Sequence, residues 1–147
     1  MKKPFIAALS LTAAVGLGVL LIRPTSQRAQ NTYYRRWGLS IQSGCQQVFH
    51  EESDHFWGDG YRYSVLTFTG TPPPFGAAER EGMERIYGLD QEAAVNALME
   101  NAAAVLKAPE EYLPPKEGYH YLLMTSEEGS LAALYHQGMV FIAEELN

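Results

Sequence analysis

A single cysteine, Cys45, stands in the whole chain. That excludes an intramolecular disulfide and a metal knuckle built on paired thiolates. Acidic residues are missing from the first 50 positions, and all seventeen follow. Basic residues are scarce in the remainder: from Trp37 onward only Arg62, Arg80, Arg85, Lys107 and Lys116 stand against those seventeen acids, a balance of −12. Such a domain repels phosphate backbones, which argues against nucleic acid as a partner. Also lacking are a Gly-x-Ser-x-Gly elbow, a His-Glu-x-x-His pair and a phosphate-cradling glycine loop, so the common hydrolase and nucleotide signatures are out. No internal repeat or low-complexity tract is present.

What the chain does have begins with an apolar run. Phe5 to Ile22, FIAALSLTAAVGLGVLLI, carries no charge over eighteen positions. As a helix it spans about 27 Å, close to a bilayer core. Lys2 and Lys3 precede it and Arg23-Pro24 closes it. The run is long for a cleaved signal peptide, whose apolar core is about 7–15 residues. Its best cut site places Gln27 and Ala29 at −3 and −1, and glutamine is poor there. The expectation is an uncleaved transmembrane anchor, with a cleaved signal as the rival reading. Ser43-Gly44-Cys45 resembles the end of a lipoprotein cleavage box. Gln42 stands where that box needs an aliphatic residue, and the apolar run ends 23 residues earlier.

Residues 1–4 then form a basic tail, 5–22 the anchor, 23–38 a basic juxtamembrane linker and 39–147 an acidic domain. Arg23, Arg28, Arg35 and Arg36 are placed to meet anionic membrane lipids, each contributing about 1 kcal/mol near a charged surface. Tyr33, Tyr34 and Trp37 fit either an aromatic belt at the lipid interface or the start of the domain core. The short Met-Lys-Lys tail favours the N-terminus inside and the domain outside the cytoplasm, although the arginine collar pulls the other way.

The domain reads as α+β. Alternation from Leu39 through Ile41, Ser43 and Cys45 to Val48 predicts one strand with a wet face. Tyr61 to Thr69 is a second strand, rich in aromatic and β-branched residues, and Pro72-Pro73-Pro74 ends it. Residues 77–87 suggest a short helix. Val95, Leu98, Met99, Ala102, Val105 and Leu106 form the apolar stripe of a stronger helix, with Asp90 as N-cap and Pro109 as stop. Three strands follow, Tyr119 to Thr125, Leu131 to Tyr135 and Met139 to Glu144, the last two joined by a tight turn at His136-Gln137-Gly138. The expected architecture is an antiparallel sheet of about five strands with one main amphipathic helix on one face.

The stretch HEESDHFWGDG, residues 50–60, is the one candidate for chemistry. On a continued strand His50, Glu52 and Asp54 would share a face, offering ligands to a divalent ion. Glu52, Asp54, His55 and Asp59 are the ligand-binding candidates of that reading, which would make the protein a metal-dependent hydrolase or metal sensor. The structural alternative is a turn built by Gly58, Asp59 and Gly60, since Asp-Gly before a strand supplies the positive φ of a hairpin. His50 stands five residues from Cys45, an odd spacing that places the two on opposite strand faces. His120 and His136 lie in or beside strands and read as structural histidines.

Phe56, Gly58, Asp59 and Gly60, together with Ala133-Leu134-Tyr135, resemble a family of small membrane-anchored proteins and lipoproteins of Gram-positive bacteria. These carry Asp-Thr-His-Gly-Gly-Phe-His-Gly-Asp-Gly ahead of an aromatic strand. The resemblance implies a membrane location, the Gly-Asp-Gly turn and a helix followed by closing strands. Ser53 and Trp57 stand where that pattern has histidines, and His55 where it has glycine, so no metal role carries over. Taken together, the sequence suggests a single-pass membrane protein whose acidic domain is a non-enzymatic interaction module needing no cofactor.

Overall fold

The computed structural model describes residues 30–53, 60–78, 82, 84–86 and 91–147. The anchor expected at 5–22 lies outside them. Among the described residues no helix is long and apolar enough to cross a membrane.

A six-stranded antiparallel sheet forms the centre, in the order β2-β3-β8-β7-β6-β5. These strands are β2 (Cys45–Glu52), β3 (Gly60–Phe68), β5 (Glu84–Ile86), β6 (His120–Ser126), β7 (Gly129–His136) and β8 (Met139–Leu146). A separate ribbon pairs β1 (Leu39–Ile41) with β4 (Phe75–Ala77). Helix α1 covers residues 30–37, and α2 spans Glu92–Val105. The expected α+β class, with an antiparallel sheet and one main helix, is what the chain forms.

Both faces of the sheet are covered. On one, Val95, Leu98, Met99, Ala102 and Ala103 of α2 pack against Tyr63, Val65, Leu134, Phe141 and Ala143. On the other, Tyr33 and Trp37 of α1 and Leu39 of β1 pack against Leu66, Leu122, Met124, Leu131 and Ile142. Alternate residues of β3 and β8 therefore enter two different cores, which is why Gly60–Phe68 shows a nearly continuous buried run. One wet face would have left a clean alternation.

Four expectations are corrected. The alternating run at 39–48 is two strands, because Ser43-Gly44 make a turn and Cys45 N–H returns to the Gln42 carbonyl at 3.1 Å. The described residues of 77–87 form no helix: Phe75–Ala77 and Glu84–Ile86 are strands at the two ends of that span, and positions 79–81, 83 and 87 lie outside the described residues. Residues 30–37 are no linker. Tyr33 and Trp37 are fully buried, so the packed unit begins before residue 39 and these aromatics belong to its core. The stripe of α2 stops short of its last turn, with Val105 exposed and Lys107 at φ 54, so the helix ends before Pro109. Gln91 holds the N-cap position without a side-chain bond, and Asp90 lies outside the described residues.

The β7–β8 turn is as expected. Gln137 and Gly138 have φ of 46° and 81°, the double positive φ of a tight two-residue hairpin.

Candidate functional site

The site grows from the pairing of β2, β3 and β8. Glu52 lies opposite Arg62, and Arg62 opposite Glu144. All three side chains point to the face covered by α1. Arg62 Nε donates to Glu52 Oε2 at 2.9 Å, and Arg62 Nη1 donates to Glu144 Oε2. Glu144 has no solvent exposure. Its other oxygen accepts the Trp37 indole N–H at 2.7 Å and a longer contact from Arg36 at 3.4 Å. A buried carboxylate is tolerated only when paired and hydrogen-bonded, and here both oxygens are used. Burial alone would pull the Arg62 guanidinium down, but Glu144 and then Glu52 outweigh it and hold it above its ordinary range.

One register row away, Ser64 lies opposite His50. Ser64 Oγ is 2.7 Å from His50 Nδ1 and 2.7 Å from the Tyr33 hydroxyl. A neutral His50 accepting at Nδ1 allows a consistent run in which Tyr33 donates to Ser64 and Ser64 to His50. Burial drives the His50 imidazole below its usual pKa, against the pull of Glu52. Burial likewise drives the Tyr33 phenol up, although its bond to Ser64 works the other way.

His50 reaches this face through a β-bulge. The register shifts between Gln47 and Phe49, leaving Val48 unpaired and exposed. Cys45 and Gln47 precede the bulge opposite Phe68 and Leu66; His50 and Glu52 follow it opposite Ser64 and Arg62. The expected opposite facing of Cys45 and His50 is thus overturned, since the extra residue restores the same side. They form no dyad all the same. Their partners Phe68 and Ser64 stand four positions apart on β3, about 13 Å at the rise of a strand. Burial lifts the Cys45 thiol to about 11, which keeps it protonated and unreactive.

Of the four ligand candidates, the structure describes only Glu52, and its carboxylate is engaged by Arg62. Asp54, His55 and Asp59, with Gly58, lie outside the described residues. Gly60 is in β3 opposite Leu146, and the β2–β3 connection is closed by Ser53, whose N–H donates to the Tyr61 carbonyl at 2.9 Å while its Oγ accepts from Tyr61 N–H at 2.8 Å. Among the described residues no three His, Cys, Asp or Glu side chains converge as metal donors. His136 Nδ1 bonds the Gly118 carbonyl at 2.9 Å, the structural role expected of it. His120 is exposed on the rim of an apolar hollow of about 490 Å³ beside Pro72, Pro73 and Phe75.

Sequence reasoning left Tyr33 and Trp37 between the lipid interface and the core, and it missed the polar roles of Arg62, Ser64 and Glu144. The only signal was Arg62 and Glu144 standing at inward positions of strands otherwise apolar there.

Chemically, this arrangement is a latch. The Ser64–His50 pair is not a nucleophile and base open to substrate, because Ser64 is fully buried beneath Tyr33. What the network does is tie α1 to three strands through two polar clusters. No known protein family, curated protein or solved structure matches the chain.

Proposed function

We propose that this is a single-pass membrane protein whose acidic α+β domain acts as a non-enzymatic interaction module held against the membrane surface. One observation carries the reading: α1 is fastened into the core by Trp37 to Glu144 and Tyr33 to Ser64. Only residues 23–29 separate it from the apolar run ending at Ile22. Seven residues reach at most about 25 Å even when fully extended. A domain tethered so closely through a helix of its own core stays near the bilayer, which limits its reach to partners at the membrane surface. In sequence Arg23, Arg28, Arg35 and Arg36 follow the apolar run, where positive charge suits anionic headgroups, while the −12 balance from Trp37 onward favours the aqueous side.

The absence of recognised catalytic motifs and the occlusion of Ser64 support binding over catalysis. We place the domain outside the cytoplasm. The test is Asn147→Cys in a Cys45→Ser background, labelled on intact cells with a membrane-impermeant thiol reagent. Asn147 is exposed. Labelling of intact cells is the expected result; protection until lysis would place the domain inside. Recovery of the chain in the soluble fraction would overturn the anchor itself.

A further inference from the structure

The face opposite the latch carries a groove that the membrane reading does not use. Glu145, Ser130 and Thr125 are direct register partners across β8, β7 and β6, and all three point toward α2. Adjacent strands are about 4.8 Å apart, so the three side chains form a rigid polar row. Helix α2 packs over β3, β7 and β8, and among the described residues nothing covers the end of this row, where Ala94 and Ala97 are too small to reach it. The space between them is about 300 Å³. Leu98 and Leu123 give it an apolar floor, and Asn101 stands on the rim.

Its polar groups are only partly engaged. Glu145 Oε1 accepts the Tyr61 hydroxyl at 2.7 Å, which fixes the carboxylate, and Oε2 bonds to none of the described residues. Among the described residues, the side chains of Ser130, Thr125 and Asn101 make no hydrogen bond. A fixed carboxylate and two hydroxyls thus stand in a row on three strands beside an apolar floor, with the Asn101 amide on the helix side.

We propose that this groove binds a primary ammonium group carried on a short alkyl stem. An ammonium has three N–H donors and no acceptor, matching the Glu145 carboxylate and the adjacent Ser130 hydroxyl, while the stem lies on Leu98 and Leu123 toward Thr125. The volume is at the lower limit of ligand pockets, about 300 Å³, which excludes a nucleotide or a folded peptide segment. A bare calcium ion would want six to eight oxygens and no apolar floor. Among the described residues Glu145 is the one charged group lining the groove, and the negative domain around it raises the local concentration of cations. The ammonium belongs either to a free diamine or to a lysine side chain of a protein.

The experiment is a titration of the full-length chain in detergent micelles, followed by the methyl resonances of Leu98, Leu123 and Thr125. One arm uses 1,4-diaminobutane, the other Nα-acetyl-lysine methylamide. Saturable shifts at these three residues are expected in at least one arm. Stronger binding of the diamine assigns a free polyamine, and stronger binding of the lysine compound assigns a protein lysine. Glu145→Gln is expected to weaken binding by about tenfold or more, the usual value of a charge-assisted hydrogen bond. Ala97→Leu, on an exposed helix position, keeps the charge and fills the space, so it must also abolish the shifts. Shifts absent at these methyls in both arms, or unchanged affinity in either variant, would overturn the proposal.

Discussion

The Trp37 indole N–H donates to the buried Glu144 carboxylate at 2.7 Å across 107 positions of chain. That bond joins the first described helix to the last strand. It also supplies one of the partners without which Glu144 has no place in an apolar core.

Removing the cation beside Glu144 tests how far the latch holds the fold. Arg62→Met leaves a buried carboxylate short of its counter-charge, and a loss of about 3–5 kcal/mol is expected. The double variant Arg62→Met with Glu144→Leu removes both charges and should recover most of that loss. Urea unfolding of both variants decides it; a single variant as stable as the parent would mean that the pair contributes nothing.

Trp37→Phe keeps an aromatic ring and deletes only the N–H donor. It should cost about 1–3 kcal/mol, the penalty for an unsatisfied buried acceptor. The weakened contact is at α1, so limited trypsin treatment should cleave after Arg35 or Arg36 faster than in the parent. Global destabilisation without faster cleavage there would separate α1 docking from this bond.

Acid should loosen the same region through His50. Its folded pKa is depressed by burial, below the ordinary value of about 6.5. The neutral ring therefore contributes stability that is complete above about pH 6.5. That stability is lost as pH falls below this toward the folded-state pKa. Protonation also makes Nδ1 a donor, reversing its bond with Ser64 beside the Arg62 cation. Stability curves between pH 7.5 and 5 should be flatter in His50→Gln than in the parent, and identical slopes would remove His50 from the account.

Cys45 should be silent in the native protein. With its thiol pushed up to about 11, its thiolate fraction at neutral pH is on the order of 10²-fold below that of an ordinary cysteine near 8.5. Alkylation kinetics in buffer and in urea should differ at least by that factor. Rapid labelling of the folded chain would mean that the β2 edge opens.

Much of this fold was legible from local pattern. Tyr61 to Thr69 is rich in aromatic and β-branched residues, Val95 to Ala102 repeats at helical spacing, and the three C-terminal strands are bounded by turn residues. Each signal lies within one element, where backbone geometry dictates the period of burial. The short strands Phe75–Ala77 and Glu84–Ile86 carry too few residues for any period to appear, so a helix was expected across them.

The candidate site was hardly legible at all. Glu52 was singled out as a ligand, yet its partner Arg62 is decided by the β2–β3 register, and that register depends on a bulge at Val48. Nothing in the spacing of Cys45 and His50 announces an extra residue, because a bulge is defined only against the strand it faces.

By itself the sequence determined the composition of the elements: the charge asymmetry, the apolar run at 5–22, the strands and helix with strong periods, and the Gln137-Gly138 hairpin. Tertiary structure alone decided that Tyr33 and Trp37 belong to the core, that the sheet is buried on both sides, and that neighbouring Glu144 and Glu145 serve opposite faces. The reason is physical. Period and propensity act over a few residues, whereas a buried carboxylate finds its counter-charge and its donors only when distant strands and a helix are stacked on it.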